Sequence, residues 1–550
     1  MKAITLKNIN GFKILIPLFV AGLLLLNSCT KDFDEINSNP AAFTTASDGS
    51  LLNQTISSLK LGWNEQFYIQ NEILYKQTQL AALYKEAWGN STIGTEDIWS
   101  NYYNVLPNFR ELDKRISGYP STPSVNNMKA MVKIILAYKT FKMTDYFGDI
   151  PYSEAGYGFM DIDKLRPKFD NQRSIYLSLL EDLRWAAENI TVSANAEPLV
   201  TFKKFDKLFN GDMLMWQKFA NSLRLRYSIR MFDKEPAIAG PIISDIITNQ
   251  KPVLTGCNFS GSVLEAAAIY PYKLGYKNEA KWWSFREHRN LRMGSNIWHQ
   301  MSSSDAKDGS GIFDARAFFF FETNNKKEWV AYPQYPDLNT PAEGGVVYEA
   351  QRIQDAGFNI KGDDNLFSAF NFFVVSDEDY IPEILMTGAE VHFLKAEAYM
   401  RGLGVPQSES DAANEYLSGV QASIDFWTAT MAKSKLKMGS NFNDLISVPS
   451  NLDLIFIQNV VGLWNFTNTD DKLKAIYTQT WIDLFRQPAE AYSLVRRVYG
   501  KLPRENASSD PLNYFRLTIP PSEVQFNLEN YKNAYAGKDL TTTKMWWMNW

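Results

Sequence analysis

Cysteine and histidine are the scarcest chemically active residues in this chain. Two cysteines, Cys29 and Cys257, among 550 residues exclude a disulfide-stapled scaffold and any all-cysteine metal site. Three histidines, His288, His299 and His392, leave little material for a zinc centre or a histidine-based triad. His288 and His299 are eleven positions apart, which is no helical spacing, and no third ligand stands beside them. The chain has no Gly-x-Ser-x-Gly elbow, no phosphate-binding P-loop and no His-Glu-x-x-His. Asp305-Ala306-Lys307-Asp308-Gly309 lacks the alternating oxygens and distal glutamate of a calcium loop. No cofactor or metal is implied. An excess of basic charge is missing as well: 56 Lys and Arg stand against 61 Asp and Glu, a net −5. A nucleic-acid binder needs a cationic surface to displace counterions, so that class is excluded. Beyond the N-terminus no apolar run reaches the roughly 20 residues that a membrane helix needs.

The N-terminus carries what the rest lacks. Lys2, Lys7 and Lys13 precede an apolar stretch from Ile14 to Leu26, a cationic start and short hydrophobic core that read as an export signal. Leu26-Asn27-Ser28-Cys29 closes it and resembles the lipobox of bacterial lipoproteins. That resemblance implies cleavage before Cys29 and acylation of its sulfur and amine. Several acyl chains hold a protein at a bilayer where one holds it only marginally. Loss of the three lysines takes the net charge from −5 to −8. Lys31-Asp32-Phe33-Asp34-Glu35 follows and resembles the acidic signal that sends Bacteroidetes lipoproteins to the cell surface. Asn37 to Ser50, rich in Asn, Ser, Thr and Ala, reads as a flexible leash. The expected division is a signal peptide over 1–28, a lipid-anchored tether over 29–50 and a body over 51–550.

The body is mainly helical by its periodicity. Ile175, Leu179, Leu183, Ala186 and Ile190 line one face behind Asn171, a predicted N-cap. Trp216, Phe219, Leu223 and Tyr227 do so behind Asp212. A third helix begins at Met128 and ends near Gly148 and Pro151, and a fourth carries Val391, Leu394 and Ala398 with Gly402 as its stop. A fifth holds Leu473, Ile476, Thr480 and Leu484 ahead of Pro488, and helices are expected over Glu65–Trp88 and Trp99–Ile116. Glu390 to Gly402 is similar to one helix of a tetratricopeptide pair, but no strict 34-residue repeat is visible. From Pro236 to Asp379 the pattern fades into Gly, Ser, Asn and aromatics, so a loop-rich insertion of about 236–379 is expected inside a helical frame.

Aromatic residues are abundant: 15 Trp, 27 Tyr and 35 Phe make 14% of the chain. A sugar ring has an apolar C–H face on which a flat ring stacks, while polar neighbours hold its hydroxyls. Trp282, Trp283, Trp329 and Tyr332 lie in the loop-rich middle, and Trp88 and Asn90 border a short Gly-containing stretch. These six are the candidate ligand-binding residues. Trp99 and Trp216 sit on apolar helical faces and read as core.

The ordered series of motifs resembles the SusD/RagB family of nutrient-binding outer-membrane lipoproteins, and within it the second SusD-like group. It runs from Asp32-Phe33-Asp34-Glu35-Ile36-Asn37 and Asn39-Pro40 to Thr144-Asp145-Tyr146-Phe147-Gly148-Asp149-Ile150-Pro151. It continues with Trp216 to Arg226, Phe313-Asp314-Ala315-Arg316 and Ala396-Glu397-Ala398. Gln479 to Arg486, Arg496-Arg497, Pro520, Glu523 and Asn527 complete it. Ala315 stands where the family usually has proline. The resemblance implies a mainly α, SusD-like fold of degenerate tetratricopeptide helices with irregular loops at the ligand site. It implies a lipid-anchored protein on the outer-membrane surface that captures glycan and passes it, without chemistry, to a SusC-type TonB-dependent transporter. Peptide capture of the RagB kind is an alternative. So is a surface glycoside hydrolase, because 61 acidic residues always offer some carboxylate pair whose spacing the sequence does not show. A tetratricopeptide adaptor that binds only proteins is a third.

Overall fold

In the computed structural model the described residues are 46–83, 91–256, 265–269, 291–324, 326–341, 366–371, 383–432, 452–465, 468–506 and 512–550. Cys29, Trp88, Asn90, Trp282 and Trp283 therefore lie outside the described residues, as do His288 and Cys257. Residues 48–550 form one compact unit. Its first helix starts at Asp48, so the expected tether boundary at 50 falls inside that helix.

Thirteen helices of the described residues carry the argument. They are α1 (Asp48–Ser57), α2 (Thr92–Ser117), α3 (Pro123–Phe147), α4 (Gln172–Asn189), α5 (Met213–Met231) and α6 (Pro236–Thr248). Then come α7 (Gly388–Arg401), α8 (Glu409–Ala432), α9 (Leu452–Gly462), α10 (Thr469–Asp483), α11 (Pro488–Arg497), α12 (Pro521–Phe526) and α13 (Leu528–Tyr535). Their starts are chemically marked. Side chains of Ser91, Thr122, Asn171, Asp212, Thr387 and Asn468 each accept a hydrogen bond from a first-turn N–H that the helix itself leaves unpaired. α7 stops at Gly402, whose φ of 68° is the left-handed region that glycine enters without penalty. The predicted caps Asn171 and Asp212 and the stop at Gly402 stand where the sequence puts them.

Helices neighbouring in sequence pack as neighbours in space: α1 on α2, α2 on α3, α3 on α4, α4 on α5 and α5 on α6. The second half joins through α7, which packs on α5, α8 and α10. Among the described residues three two-stranded antiparallel sheets pin the connections: β1 (Ala82–Leu83) with β5 (Leu291–Arg292), β2 (Ile150–Pro151) with β3 (Phe169–Asp170), and β4 (Ala266–Ile269) with β6 (Glu383–Thr387). Trp99 and Trp216 are buried in the common core, as their faces predict.

Two expectations change. The helix expected over Glu65–Trp88 is a π-helix over Glu65–Leu74 followed by one α-turn, and it ends at Thr78 because Gln79 adopts φ 55°. The loop-rich stretch begins after Thr248, not at Pro236. Pro236 starts α6 because its missing N–H would be unpaired at that position anyway.

The conserved-looking motifs meet in the core as charge networks. Arg226 of α5 forks onto Glu390 of α7 with hydrogen bonds of 2.6 and 2.5 Å. Arg230, one turn on, pairs with Asp145 of α3 and Glu490 of α11. Asp145 also accepts from the Tyr176 hydroxyl and, at 2.9 Å, from Trp547 Nε1. Glu397 of α7 receives both nitrogens of Arg497 at 2.6 Å, Arg401 at 2.8 Å and the Tyr477 hydroxyl at 3.1 Å. Burial raises the Glu397 pKa, but Arg497 and Arg401 outweigh it and hold the carboxyl down at about 2. Bidentate, fully partnered pairs of this kind fix which helix meets which.

Candidate functional site

Four chain segments are tied together at one edge of the body. After Gln79 turns the chain, Ala82 and Leu83 pair with Arg292 and Leu291. Met293 and Ser295 extend the ladder sideways: Tyr332 N donates to Met293 O at 2.7 Å, and Ser295 N donates to Tyr332 O at 2.9 Å. Met293 N donates to Ser368 O at 3.0 Å, and Ser368 N to Val330 O at 2.8 Å. Gly294 is required here, since a Cβ would stand 2.9 Å from Ala82 N. Leu83 and Leu291 place this hub directly before 84–90 and directly after 270–290, the stretches that contain Trp88, Asn90, Trp282 and Trp283. Of the six candidates, Tyr332 belongs to the hub and Trp329 stands three residues before it in the chain, and the other four lie outside the described residues.

Trp329 and Tyr332 are each 3% exposed. Trp329 stacks on Trp298 with centroids 5.7 Å apart and planes 11° apart, and Phe318 meets its edge at 5.6 Å. Tyr332 meets Phe367 edge-on at 4.7 Å. Both rings are enclosed by other side chains, so neither presents a face to solvent; they brace the site from behind. Apolar neighbours on every side of each ring account for this placement. Trp329 Nε1 is buried with no hydrogen-bond partner, whereas Trp298 Nε1 donates to Asp305 at 3.1 Å.

A cleft of about 590 Å³ opens beside the loop that follows Trp298. One wall is the loop from His299 to Asp305, with Gln300, Ser302, Ser303 and Ser304 between them. The facing wall is the outer side of α10, where Asp471, Lys474, Thr478 and Gln479 stand, and Phe313 and Leu463 supply apolar surface. His299 bridges the near rim, with Nε2 3.2 Å from Asp305 and Nδ1 3.7 Å from Glu505. Glu505 is held in turn by the Ser295 hydroxyl at 2.8 Å and by Gln79, which bonds both its backbone N and O. Arg316, locked on Asp314 at 2.6 Å, bonds the Gln479 side chain from the core side, so the Phe313–Arg316 motif stiffens the far wall. The volume suits a small ligand, and the lining mixes hydroxyls, amides and carboxylates with apolar patches.

Sequence reasoning missed the α10 wall. Its signal was available: Asp471, Lys474 and Thr478 recur at the three- and four-residue spacing of one helical face. Met301 to Gly311, whose Ser- and Gly-rich sequence reads as an exposed loop, is irregular, though Met301 and Ser302 are buried. Among the described residues no cluster of His, Cys, Asp and Glu could hold a metal ion.

Comparison with known proteins decides the family. A family model described as "Starch-binding associating with outer membrane", the SusD-like group, matches residues 40–520. The chain belongs to the SusD-like family. Solved structures agree on the fold. A chitin-binding protein is 21% identical, with 92% of this chain and 100% of that one covered at a TM-score of 0.65. A Bacteroidetes AC2a SusD-like protein is also 21% identical, with the same coverage and a TM-score of 0.67. A SusD homologue from Bacteroides fragilis is 18% identical over 92% of this chain and 100% of its own, with a TM-score of 0.64. No curated protein matches. The mainly helical SusD-like frame is therefore the fold of this chain, and the ordered motifs are its family signature. In this SusD-like protein the Asp145, Arg226, Glu397 and Arg497 motif positions act as core struts, each in a buried ion pair.

Proposed function

We propose that this SusD-like protein is a receptor tethered at the outer-membrane surface that captures oligosaccharide and delivers it to a SusC-type TonB-dependent transporter. The observation that carries the reading is the cleft of about 590 Å³ set beside the hub from which the aromatic-bearing stretches depart. A starch-binding family description and a chitin-binding structural relative support a glycan ligand. Cys29 is the lipid-bearing residue, and among the described residues no helix is long and apolar enough to cross a membrane. The ligand residues are Trp88, Asn90, Trp282 and Trp283, with the buried Trp329 and Tyr332 as structural support and with His299, Gln300, Asp305 and Thr478 in the cleft. Transfer requires capture without chemistry and with modest affinity, since a ligand held too tightly does not move on. Stacking plus a few rim hydrogen bonds gives that.

Calorimetric titration with starch and chitin oligosaccharides tests the reading. Wild-type protein binds one class, and the Trp283→Ala, Gln300→Ala double variant loses roughly tenfold or more in affinity while its melting curve stays put. Release of shortened sugars by the purified protein, or binding of peptides and no glycan, overturns it. Cys29→Ser protein leaves the membrane fraction if the anchor is as stated.

A further inference from the structure

One side chain of the cleft has its direction dictated by the core. Arg316 is fully buried, and every nitrogen of its guanidinium has a fixed partner. Nε and Nη2 donate to Asp314 at 3.0 and 2.6 Å, Nη1 donates to the Ser423 hydroxyl at 3.1 Å, and Nη2 also bonds the Gln479 side chain. A guanidinium can only donate, so the atom of Gln479 that meets it is the carbonyl oxygen. The planar amide then carries Nε2 and its hydrogens on the side away from Arg316. Gln479 lines the cleft, and no acceptor among the described residues takes those hydrogens. A flipped amide would set N–H against N–H in the core, at the cost of a buried unpaired donor. The far wall therefore presents a donor that cannot turn into an acceptor.

The near wall has the opposite sense. Ser302 Oγ donates to Ser304 O at 2.8 Å and Ser303 Oγ to Gly311 O at 3.1 Å. Each hydroxyl's single hydrogen is thus held by backbone, and lone pairs are what it offers a ligand. The charged groups of the lining answer one another. Asp305 accepts from Trp298 Nε1 at 3.1 Å and faces His299 at 3.2 Å, and Asp471 pairs with Lys474 at 3.3 Å. Two acids against a lysine and a histidine favour neither a cationic nor an anionic ligand. Apolar surface completes the lining: Ala475 stands one turn before Gln479 on α10, and half-buried Phe313 directly precedes Asp314.

We infer that the cleft recognises a 2-acetamido sugar by its N-acetyl group: the carbonyl accepts from Gln479 Nε2, the N–H donates to the serine oxygens, and the methyl lies against Ala475 and Phe313. This rests on the glycan reading of the proposed function and narrows it. A secondary amide is planar and trans, so its C=O and N–H point in opposite directions, as a donor wall facing an acceptor wall requires. A hydroxyl in its place rotates to suit either wall and brings no methyl to the apolar patch. A protonated amine has no carbonyl for Gln479. A peptide bond shares the amide's polarity, but the starch-binding description of the family favours a sugar. Gln479 is the specificity-determining residue, and Arg316 is a positioning residue that acts through it.

Calorimetric titration of the full chain with β-1,4-linked oligomers of glucose, glucosamine and N-acetylglucosamine, all of one length, tests this. The N-acetylated oligomer is expected to bind roughly tenfold or more tighter than the other two. Gln479→Glu keeps an oxygen on Arg316 but removes the donor. In that variant the affinity for the N-acetylated oligomer falls to that for the glucose oligomer, which itself changes little. The readout is a ratio between two ligands on one folded protein, so a loss of stability does not imitate it. Ala475→Leu is the second variant: it leaves Arg316 and Gln479 in place, fills the space for the methyl, and is expected to abolish the same preference. Equal affinities in the parent, or a preference retained in both variants, overturn the inference while the glycan reading stands. Binding of no oligosaccharide, or of acetylated peptides in preference to every sugar, overturns both.

Discussion

Glu397 shows how much of this protein rests on single charges. Its carboxylate accepts from Arg401, Arg497 and Tyr477 on three helices. With its pKa at about 2 against an ordinary 4.5, it stabilises the fold fully above pH 4.5, and that contribution is lost as pH falls toward 2. Glu397→Gln leaves Arg497 buried without its partner, and the expected cost is about 3–5 kcal/mol at pH 7, read from urea unfolding, shrinking as pH approaches 2. Lys139 behaves in the opposite sense. Its ammonium donates to Ser58 O at 2.7 Å and Asn101 at 3.2 Å, but burial, aided by Lys142, pulls its pKa down to about 7 from 10.5. Below pH 7 the folded protein carries a buried charge at a cost, and stability from this group rises with pH between about 7 and 10.5. Lys139→Met is expected to raise Tm at pH 6 by about 2–4 °C or more and to have little effect near pH 10.

At the scale of elements, the hub joining β1, β5, Val330–Tyr332 and Ser368 decides where the loops go. It contains few residues and is held by backbone hydrogen bonds between segments that lie far apart in the chain, as Ala82 and Arg292 do. Gly294→Ala drives a Cβ against Ala82 N and the Gln334 side chain, at 2.9 and 2.8 Å. Its expected outcome is weakened oligosaccharide affinity with a smaller loss of global stability, checked by titration beside a thermal melt. The capped helices behave differently because their instructions are local. Thr387, whose hydroxyl accepts from Glu390 N at 3.1 Å, also donates to Asp483 at 2.8 Å. Thr387→Ala therefore loses a cap and a bond to α10 together, at about 1–2 kcal/mol or more by chemical denaturation.

For the whole molecule, the arginine and carboxylate struts make one rigid frame from two runs of helices, and the cleft stands on its loop side, walled by α10. The frame resembles solved relatives at about one residue in five identical. A fold held in common at that identity is one that packing of the helical frame maintains while most side chains differ.

What the sequence determined by itself was the local chemistry. Caps such as Asn171 and Asp212, the Gly402 stop and the 3.6-residue apolar faces act within a few positions, so they are legible in a string of letters. The family was legible in its ordered motifs, although their roles as core struts were not. Only the tertiary structure decided which aromatics are enclosed. Trp329 has the composition of a ligand platform, but Trp298 and Phe318 cover its faces and edge from 31 and 11 positions away. It also decided that α10 walls the cleft, because Gln479 and His299 meet across 180 positions of chain. Burial and long-range pairing are properties of the packed chain, and no short window of sequence contains them.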